Sequence, residues 1–306
     1  MAVIEVEHLR KAYGPLVAVD DVSLAVEAGE IFGVIGPNGA GKTTAVECVA
    51  GLRVPDSGRV SVLGLDPQRE TAELRERLGV QLQESALPAK LRVGEILDLY
   101  SSFYRTPADV AELVAALGLG PKLGSYFGKL SGGQKQRLFI ALALIGRPEV
   151  AVLDELTTGL DPQARRETWR FIESIRDRGV TVVLVTHFMD EAERLCDRVA
   201  LIDRGQVVAT GTPAELAEQA GGGTRVRFRT SGAIDDDVLR ALPSVAALER
   251  QGSQVVAAGT GDVVAEVVRA CEAAGARAEE IRVESASLED AFIALTGHAI
   301  DAGDEA

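Results

Sequence analysis

Gly36-Pro37-Asn38-Gly39-Ala40-Gly41-Lys42-Thr43-Thr44 follows the G-x-x-x-x-G-K-[ST] pattern of a loop that holds phosphate. Its glycines let the backbone close around phosphate oxygens, Lys42 brings positive charge to the β and γ groups, and the Thr43 hydroxyl is a ligand for Mg²⁺. A second phosphate-directed element is Leu130-Ser131-Gly132-Gly133-Gln134, followed by Lys135-Gln136-Arg137. A Ser-Gly-Gly turn feeding a helix offers backbone N–H groups and a hydroxyl to a phosphate from outside the first loop. Ser131, Gly132, Gly133 and Gln134 therefore read as half of a shared nucleotide site, which a second copy of the chain completes. The third element is the apolar run Val150-Ala151-Val152-Leu153, ending in Asp154-Glu155. There Asp154 would hold Mg²⁺ through water, and Glu155 would polarise an attacking water as a general base or water-positioning group.

Such groups need strands that end level and helices that begin beside them. The runs 31–35, 150–153 and 180–185 are continuously apolar, which suits a parallel sheet buried on both faces. An amphipathic segment with Val46, Val49 and Ala50 follows the first loop, giving the strand, loop, helix context that the motif requires. Alternation near 3–9 and 22–26 predicts an antiparallel pair, and 199–202 with 206–209 predicts two short strands around Asp203-Arg204-Gly205. Ile96, Leu99, Tyr100 and Phe103 recur at helix spacing and predict an inserted helical subdomain over about 84–145.

The chain has 306 residues, enough for two domains, and its composition shifts at Ala220-Gly221-Gly222-Gly223. A first domain over 1–220 and a linker at 221–223 are expected. Beyond them, strands at 225–229, 245–248, 254–258 and 281–283 alternate with helices at 234–242 and along Val263, Val264, Val267, Val268 and Cys271. A last helix, capped by Ser287 with Asp290, carries Leu288, Phe292 and Leu295. This order predicts a small ferredoxin-like α+β domain over 224–298, followed by an acidic tail at 299–306.

Composition narrows the function further. Hydrophobic residues make up 46%, yet no apolar run approaches the roughly 18 residues that span a bilayer. The first residues alternate as a strand rather than forming a secretory signal, so the expected location is the cytoplasm. Cys48, Cys196 and Cys271 lie far apart and read as small core residues, not as a zinc or disulfide framework. A net charge of −14 without a long basic cluster argues against nucleic acid as a ligand. It leaves ATP open, because local amides, one lysine and a metal ion build a phosphate site.

Taken in order, the phosphate loop (Walker A), the Leu130–Gln134 signature and the Asp154-Glu155 element (Walker B) resemble the ATP-binding subunit of an ABC transporter over about residues 1–220. The resemblance implies a P-loop NTPase domain of ABC type: a mixed sheet, a RecA-like α/β core and an inserted helical subdomain. It also implies Gln83 as the glutamine that contacts Mg²⁺ and the attacking water, with Gln81 as the competing choice. Asp161, in Thr158-Gly159-Leu160-Asp161, resembles the loop that crosses the dimer interface, and His187 the switch histidine on the γ-phosphate. Tyr13 takes the place of the aromatic that stacks on adenine. Two positions depart from the family pattern. Leu156 replaces the usual proline, which is expected to loosen the turn after Glu155, and Arg92 replaces a common threonine. The segment Ser287-Leu288-Glu289-Asp290-Ala291-Phe292-Ile293-Ala294-Leu295-Thr296-Gly297 resembles the ending of ATPases in the drug-resistance branch of bacterial ABC exporters, which implies an accessory or dimerisation role for the C-terminal domain.

The resulting expectation is an ATPase whose two copies close head to tail around ATP and Mg²⁺. It would work with a separate integral membrane permease at the inner face of the cell membrane and drive export of a drug or lipid-like substrate. The alternatives are a non-transport ABC ATPase acting on ribosomes or DNA, and an ATP-sensing binding module. Acidic charge and a single nucleotide-binding domain oppose the first, and the presence of both Glu155 and His187 opposes the second.

Overall fold

The computed structural model describes residues 1–82, 86–219, 223–232, 234–259, 261–284 and 287–298. The described chain forms two compact units, Met1–Thr212 and a second beginning at Pro213.

The first unit opens with β1 (Ala2–Tyr13), β2 (Leu16–Glu27), β3 (Ile31–Ile35), α1 (Lys42–Val49), β4 (Ser57–Val62), α2 (Thr71–Arg77) and β5 (Leu78–Gln81). It continues with α3 (Val93–Ser101), α4 (Val110–Ala116), α5 (Gly132–Leu144), β6 (Val150–Asp154), α6 (Pro162–Asp177), β7 (Thr181–Thr186), α7 (Met189–Leu195), β8 (Arg198–Asp203) and β9 (Gln206–Gly211). The continuous apolar runs become the buried centre of a six-stranded sheet ordered β5-β6-β7-β3-β8-β9. All neighbours are parallel except β8 and β9, a hairpin turning at Arg204 and Gly205, both with positive φ. The alternating segments form the β1–β2 antiparallel pair, and β4 extends it to a three-stranded sheet ordered β2-β1-β4. Ile4, Val6, Leu9, Val22 and Val26 from that sheet share one core with Val46 and Val49 of α1 and with Val34 and Val183 of the parallel sheet. The mixed α/β core and its helical insertion have the expected fold class.

Within the insertion the helical stripe differs from expectation. Val93, Ile96 and Leu97 are the buried face of α3, whereas Leu99 and Phe103 are exposed and Phe103 lies beyond the helix end. Packing against α5 sets this face, and it favours the positions one turn before and beside Ile96 over those after it. Arg92 precedes α3, and its backbone N–H donates to Glu95 Oε2 at 2.8 Å while its guanidinium lies 5.2 Å from the Tyr126 ring centroid. Glu95 thus serves the helix start where a threonine would cap with its own oxygen.

The second unit comprises α8 (Pro213–Gln219), β10 (Thr224–Ser231), α9 (Asp236–Arg240), β11 (Val245–Gln251), β12 (Gln254–Gly259), α10 (Val263–Ala273), β13 (Arg277–Glu284) and α11 (Leu288–Thr296). Helix α8 joins this unit by packing on α11, so the unit begins ahead of the expected linker, of which only Gly223 is described. Its sheet order is β11-β12-β10-β13 with every neighbour antiparallel, the split βαβ arrangement. Val226, Phe228, Val255, Val263, Val267 and Cys271 are its core. Ser287 Oγ accepts the N–H of Asp290, and Asp290 Oδ2 accepts the N–H of Ser287, so α11 starts with a reciprocal cap. The acidic tail lies outside the described residues.

Candidate functional site

In an open parallel sheet the carboxyl ends of the strands are where ligands bind. Here three adjacent strands end level: Ile35 of β3 pairs with Thr186 of β7, and Asp154 of β6 pairs with Val185. Each is followed by one of the motifs. The phosphate loop leaves β3, Glu155 leaves β6 and His187 leaves β7.

Backbone contacts shape the loop itself. A Cβ at Gly36 would lie 2.0 Å from the carbonyl oxygen of Ile202, and a Cβ at Gly41 would lie 2.0 Å from that of Ala18. Gly41 also has φ 97°, as N-cap of α1. The Ala40 carbonyl accepts the N–H of Gly205, whose own carbonyl accepts the N–H of Asp20. Gly41→Ala is therefore expected to cost about 2–4 kcal/mol, from the left-handed backbone plus the carbonyl clash. Thermal melting with and without ATP checks this; an unchanged Tm and a full ATP-induced shift would contradict it.

Lys42 is buried, and its Nζ donates to the carbonyls of Gly36 at 2.8 Å and Pro37 at 2.9 Å. Burial lowers its pKa, while the carboxylates of Glu155 and Asp154 act in the opposite direction and favour the charged ammonium. Thr43 Oγ1 donates to Asp154 Oδ2 at 3.3 Å, and Asp154 is completely buried. These are two hard oxygen donors side by side, the chemistry a Mg²⁺ ion accepts. Open around them is a cleft of about 390 Å³, lined by Tyr13, Leu16, Ala18, the loop residues Asn38, Gly39, Ala40, Gly41, Lys42, Thr43 and Thr44, and Glu155.

Glu155 has φ 49°, an uncommon left-handed conformation for a side-chain-bearing residue, and its N–H donates to the Val185 carbonyl at 2.9 Å. Its Oε1 lies 3.2 Å from His187 Nδ1. That hydrogen bond, with the nearby Lys42 charge and the Thr158 side chain, holds the Glu155 carboxyl below the usual carboxylate range despite burial. An ionised carboxylate only accepts, so Nδ1 of His187 carries the bonding proton. Leu156 is fully buried, so side-chain packing tethers the turn after Glu155 where the family's proline would stiffen the backbone.

Gln81 ends β5 and is buried, with Oε1 accepting the N–H of Asp154 at 3.2 Å and Nε2 donating to the Leu82 carbonyl at 2.7 Å. Its carbonyl oxygen thus ties β5 to the end of β6, while its amide nitrogen is held by the adjacent main chain. Gln83 lies outside the described residues. Tyr13 sits at the cleft rim, 39% exposed, with the Arg53 guanidinium 5.2 Å and Lys11 Nζ 5.8 Å from its ring centroid. These two cations are in turn fixed by Glu47 and Asp56. Motif spacing does not reveal that support, because its residues are spread over β1, α1 and the segment after α1.

The signature is not in that cleft. Ser131 caps α5, its Oγ accepting the Gln134 N–H and its own N–H donating to Gln134 Oε1. Ser131 and Gly132 are exposed, a Cβ at Gly132 would meet nothing within 4 Å, and Gly133 faces Ala164 and Leu160. None of Ser131, Gly132, Gly133 or Gln134 lines the phosphate-loop cleft of its own chain. Asp161 is likewise exposed and caps α6 through Oδ1 to the N–H groups of Gln163 and Ala164, both at 2.9 Å. The structure therefore brings Lys42, Thr43, Asp154, Glu155 and His187 together and leaves Ser131–Gln134 and Asp161 on the surface.

Known proteins are similar to this chain over most of its length. The family model described as ABC transporter matches residues 19–158. The chain is 37% identical over 303 residues to the daunorubicin resistance ATP-binding protein DrrA3 of Streptomyces coeruleorubidus, covering 96% of each. It is 32% identical over 309 residues to the linearmycin resistance ATP-binding protein LnrL of Bacillus subtilis (strain 168), covering 97% of this chain and 99% of that one. Among solved structures, a bacterial ABC transporter cassette determined as a dimer superposes with a TM-score of 0.62 at 26% identity, over 68% of this chain and 98% of its own.

Proposed function

Because this chain belongs to the family of ABC transporter ATP-binding subunits and is an ATPase, we propose that two copies close head to tail around two ATP molecules and drive export through a separate membrane permease. The observation that carries this reading is the split of the motifs. Lys42, Thr43 and Glu155 line one cleft, with Asp154 bonded to Thr43 and His187 to Glu155, while Ser131 and Gly132 lie exposed elsewhere with their N–H groups and hydroxyl at a helix start. ABC ATPase cassettes form dimers, which gives those exposed groups a phosphate to meet.

In the bound state the Lys42 ammonium exchanges its Gly36 and Pro37 carbonyl partners for β and γ oxygens, and Tyr13 stacks on the adenine. Thr43 and Asp154, with Gln83, would hold Mg²⁺, which would supply positive charge to the phosphate oxygens. Glu155 takes a proton from the attacking water, and His187 orients Glu155 through Nδ1. Asp161 lies at the junction of the two copies. The γ-phosphate bridges the copies and is lost on hydrolysis, so it supplies the differential contact that closes and reopens the dimer.

Among the described residues no helix is long and apolar enough to cross a membrane. A permease therefore carries the substrate path and places the ATPase at the cytoplasmic face. Relatives named for daunorubicin and linearmycin resistance support a drug-like or lipid-like cargo. A groove lined by Ala50, Leu52, Leu74, Leu78, Val80 and Phe103 leaves Leu52 and Phe103 more than half exposed, an apolar surface of the kind a partner subunit covers. With Leu52→Glu and Phe103→Glu combined, co-purification with the membrane fraction should fall about ten-fold while hydrolysis by the isolated chain stays within about two-fold. Membrane recovery at the parent level would remove the groove from the reading.

A further inference from the structure

Glu191 lies on α7, four residues after His187, and is completely buried. None of the roles above uses it. Its Oε1 accepts the indole N–H of Trp169 on α6 at 2.9 Å, and Trp169 is the only tryptophan in the chain. The hydroxyls of Thr186 and Thr157 lie beside the same carboxyl. Thr186 is the last residue of β7 before His187, and its Oγ1 also accepts the N–H of Phe188 at 3.0 Å, across the histidine. Thr157 is completely buried and stands two residues after Glu155. Glu191 Oε2 and Thr157 Oγ1 are both buried, and neither makes a hydrogen bond of good geometry. Burial pushes the Glu191 carboxyl up, against the pull of the three donors, which favours the neutral acid.

We propose that Glu191 is a positioning residue for ATP hydrolysis: its buried carboxyl ties the turn that carries His187 to the loop that carries Glu155, through Thr186 and Thr157, with Trp169 as the third anchor. The Glu155–His187 hydrogen bond spans two separate loops, and the Glu191 carboxyl stands beside one threonine from each. This rests on the roles given above to Glu155 and His187.

The test is steady-state ATP hydrolysis by the full chain and its Glu191→Gln, Glu191→Ala and Thr157→Val variants, with Trp169 fluorescence recorded as ATP and Mg²⁺ are added. Glutamine keeps the shape, an acceptor for Trp169 and a donor for Thr157, so E191Q holds kcat within about three-fold of the parent. E191A lowers kcat by about ten- to a hundred-fold with KM for ATP within about three-fold, because the loops that are loosened carry the reacting groups rather than the phosphate loop. Its Trp169 emission shifts, since the indole has lost its buried acceptor. T157V, which leaves Glu191 and Trp169 in place, lowers kcat in the same direction. A folded E191A with parental kcat overturns the proposal, as does an E191Q that falls as far as E191A. Should E191A fail to fold, T157V with parental kcat overturns it. Failure of the underlying site reading would show differently, as a Glu155→Gln variant that turns over normally.

Discussion

Glu155→Gln binds ATP, holds two chains together and hydrolyses about 10²–10⁴-fold more slowly than the parent. The substitution is close to isosteric, so the Leu156 anchor and the bond from the Glu155 N–H to Val185 are kept. What disappears is a carboxylate held ionised by His187 and Lys42, the group that can accept a proton from water in the cleft. Loss of that negative charge beside Lys42 also leaves the ammonium with Asp154 as its nearby carboxylate, which strengthens its hold on phosphate. Phosphate release measures the first effect and size-exclusion chromatography in ATP the second. Turnover at the parental rate would remove Glu155 as the base.

Ser131→Arg acts on the other half of the site. It spares ATP binding by one chain, because Ser131 does not line that chain's own cleft. It should nonetheless lower hydrolysis at least about 100-fold, because a long cation replaces the hydroxyl and blocks the helix start that we propose meets the partner's γ-phosphate. Loss of the Ser131–Gln134 cap alone costs about 1 kcal/mol, and Ser131→Ala isolates that share. The combination with Glu155→Gln decides the matter: the double variant binds fluorescent ATP and stays monomeric. A double variant that dimerised in ATP as well as Glu155→Gln does would refute the head-to-tail arrangement.

The motifs were legible because their chemistry is local. A phosphate loop needs its glycines and lysine in one stretch, and two carboxylates at a strand end need only the strand, so 36–44 and 150–155 declared themselves. The continuous runs 31–35 and 180–185 likewise showed which strands lie in the middle of the sheet. What depended on packing partners was hidden. Ile96 marked a helix, but only α5 decides that Leu97 turns inward and Leu99 outward. β4 escaped notice because Ser57, Gly58 and Arg59 give it an exposed start and only Val60 and Val62 reach the core. Gln81 and Glu191 are buried polar residues whose partners, Asp154 and Trp169, stand far away in the chain, and no spacing rule connects them.

The carbonyls that brace the phosphate loop bear on how this site tolerates mutational drift. Ile202 and Ala18 press on Gly36 and Gly41 through main-chain oxygens, which every amino acid possesses. The pressure that residues 18 and 202 put on the loop thus does not depend on their side chains, while residues 36 and 41 are confined to a single choice. Heritable variation can rework the outer surface of the chain and leave the fuel chamber as it was. The loop's exactness is encoded in two glycines and borrowed, for the rest, from parts of the chain that carry no memory of sequence.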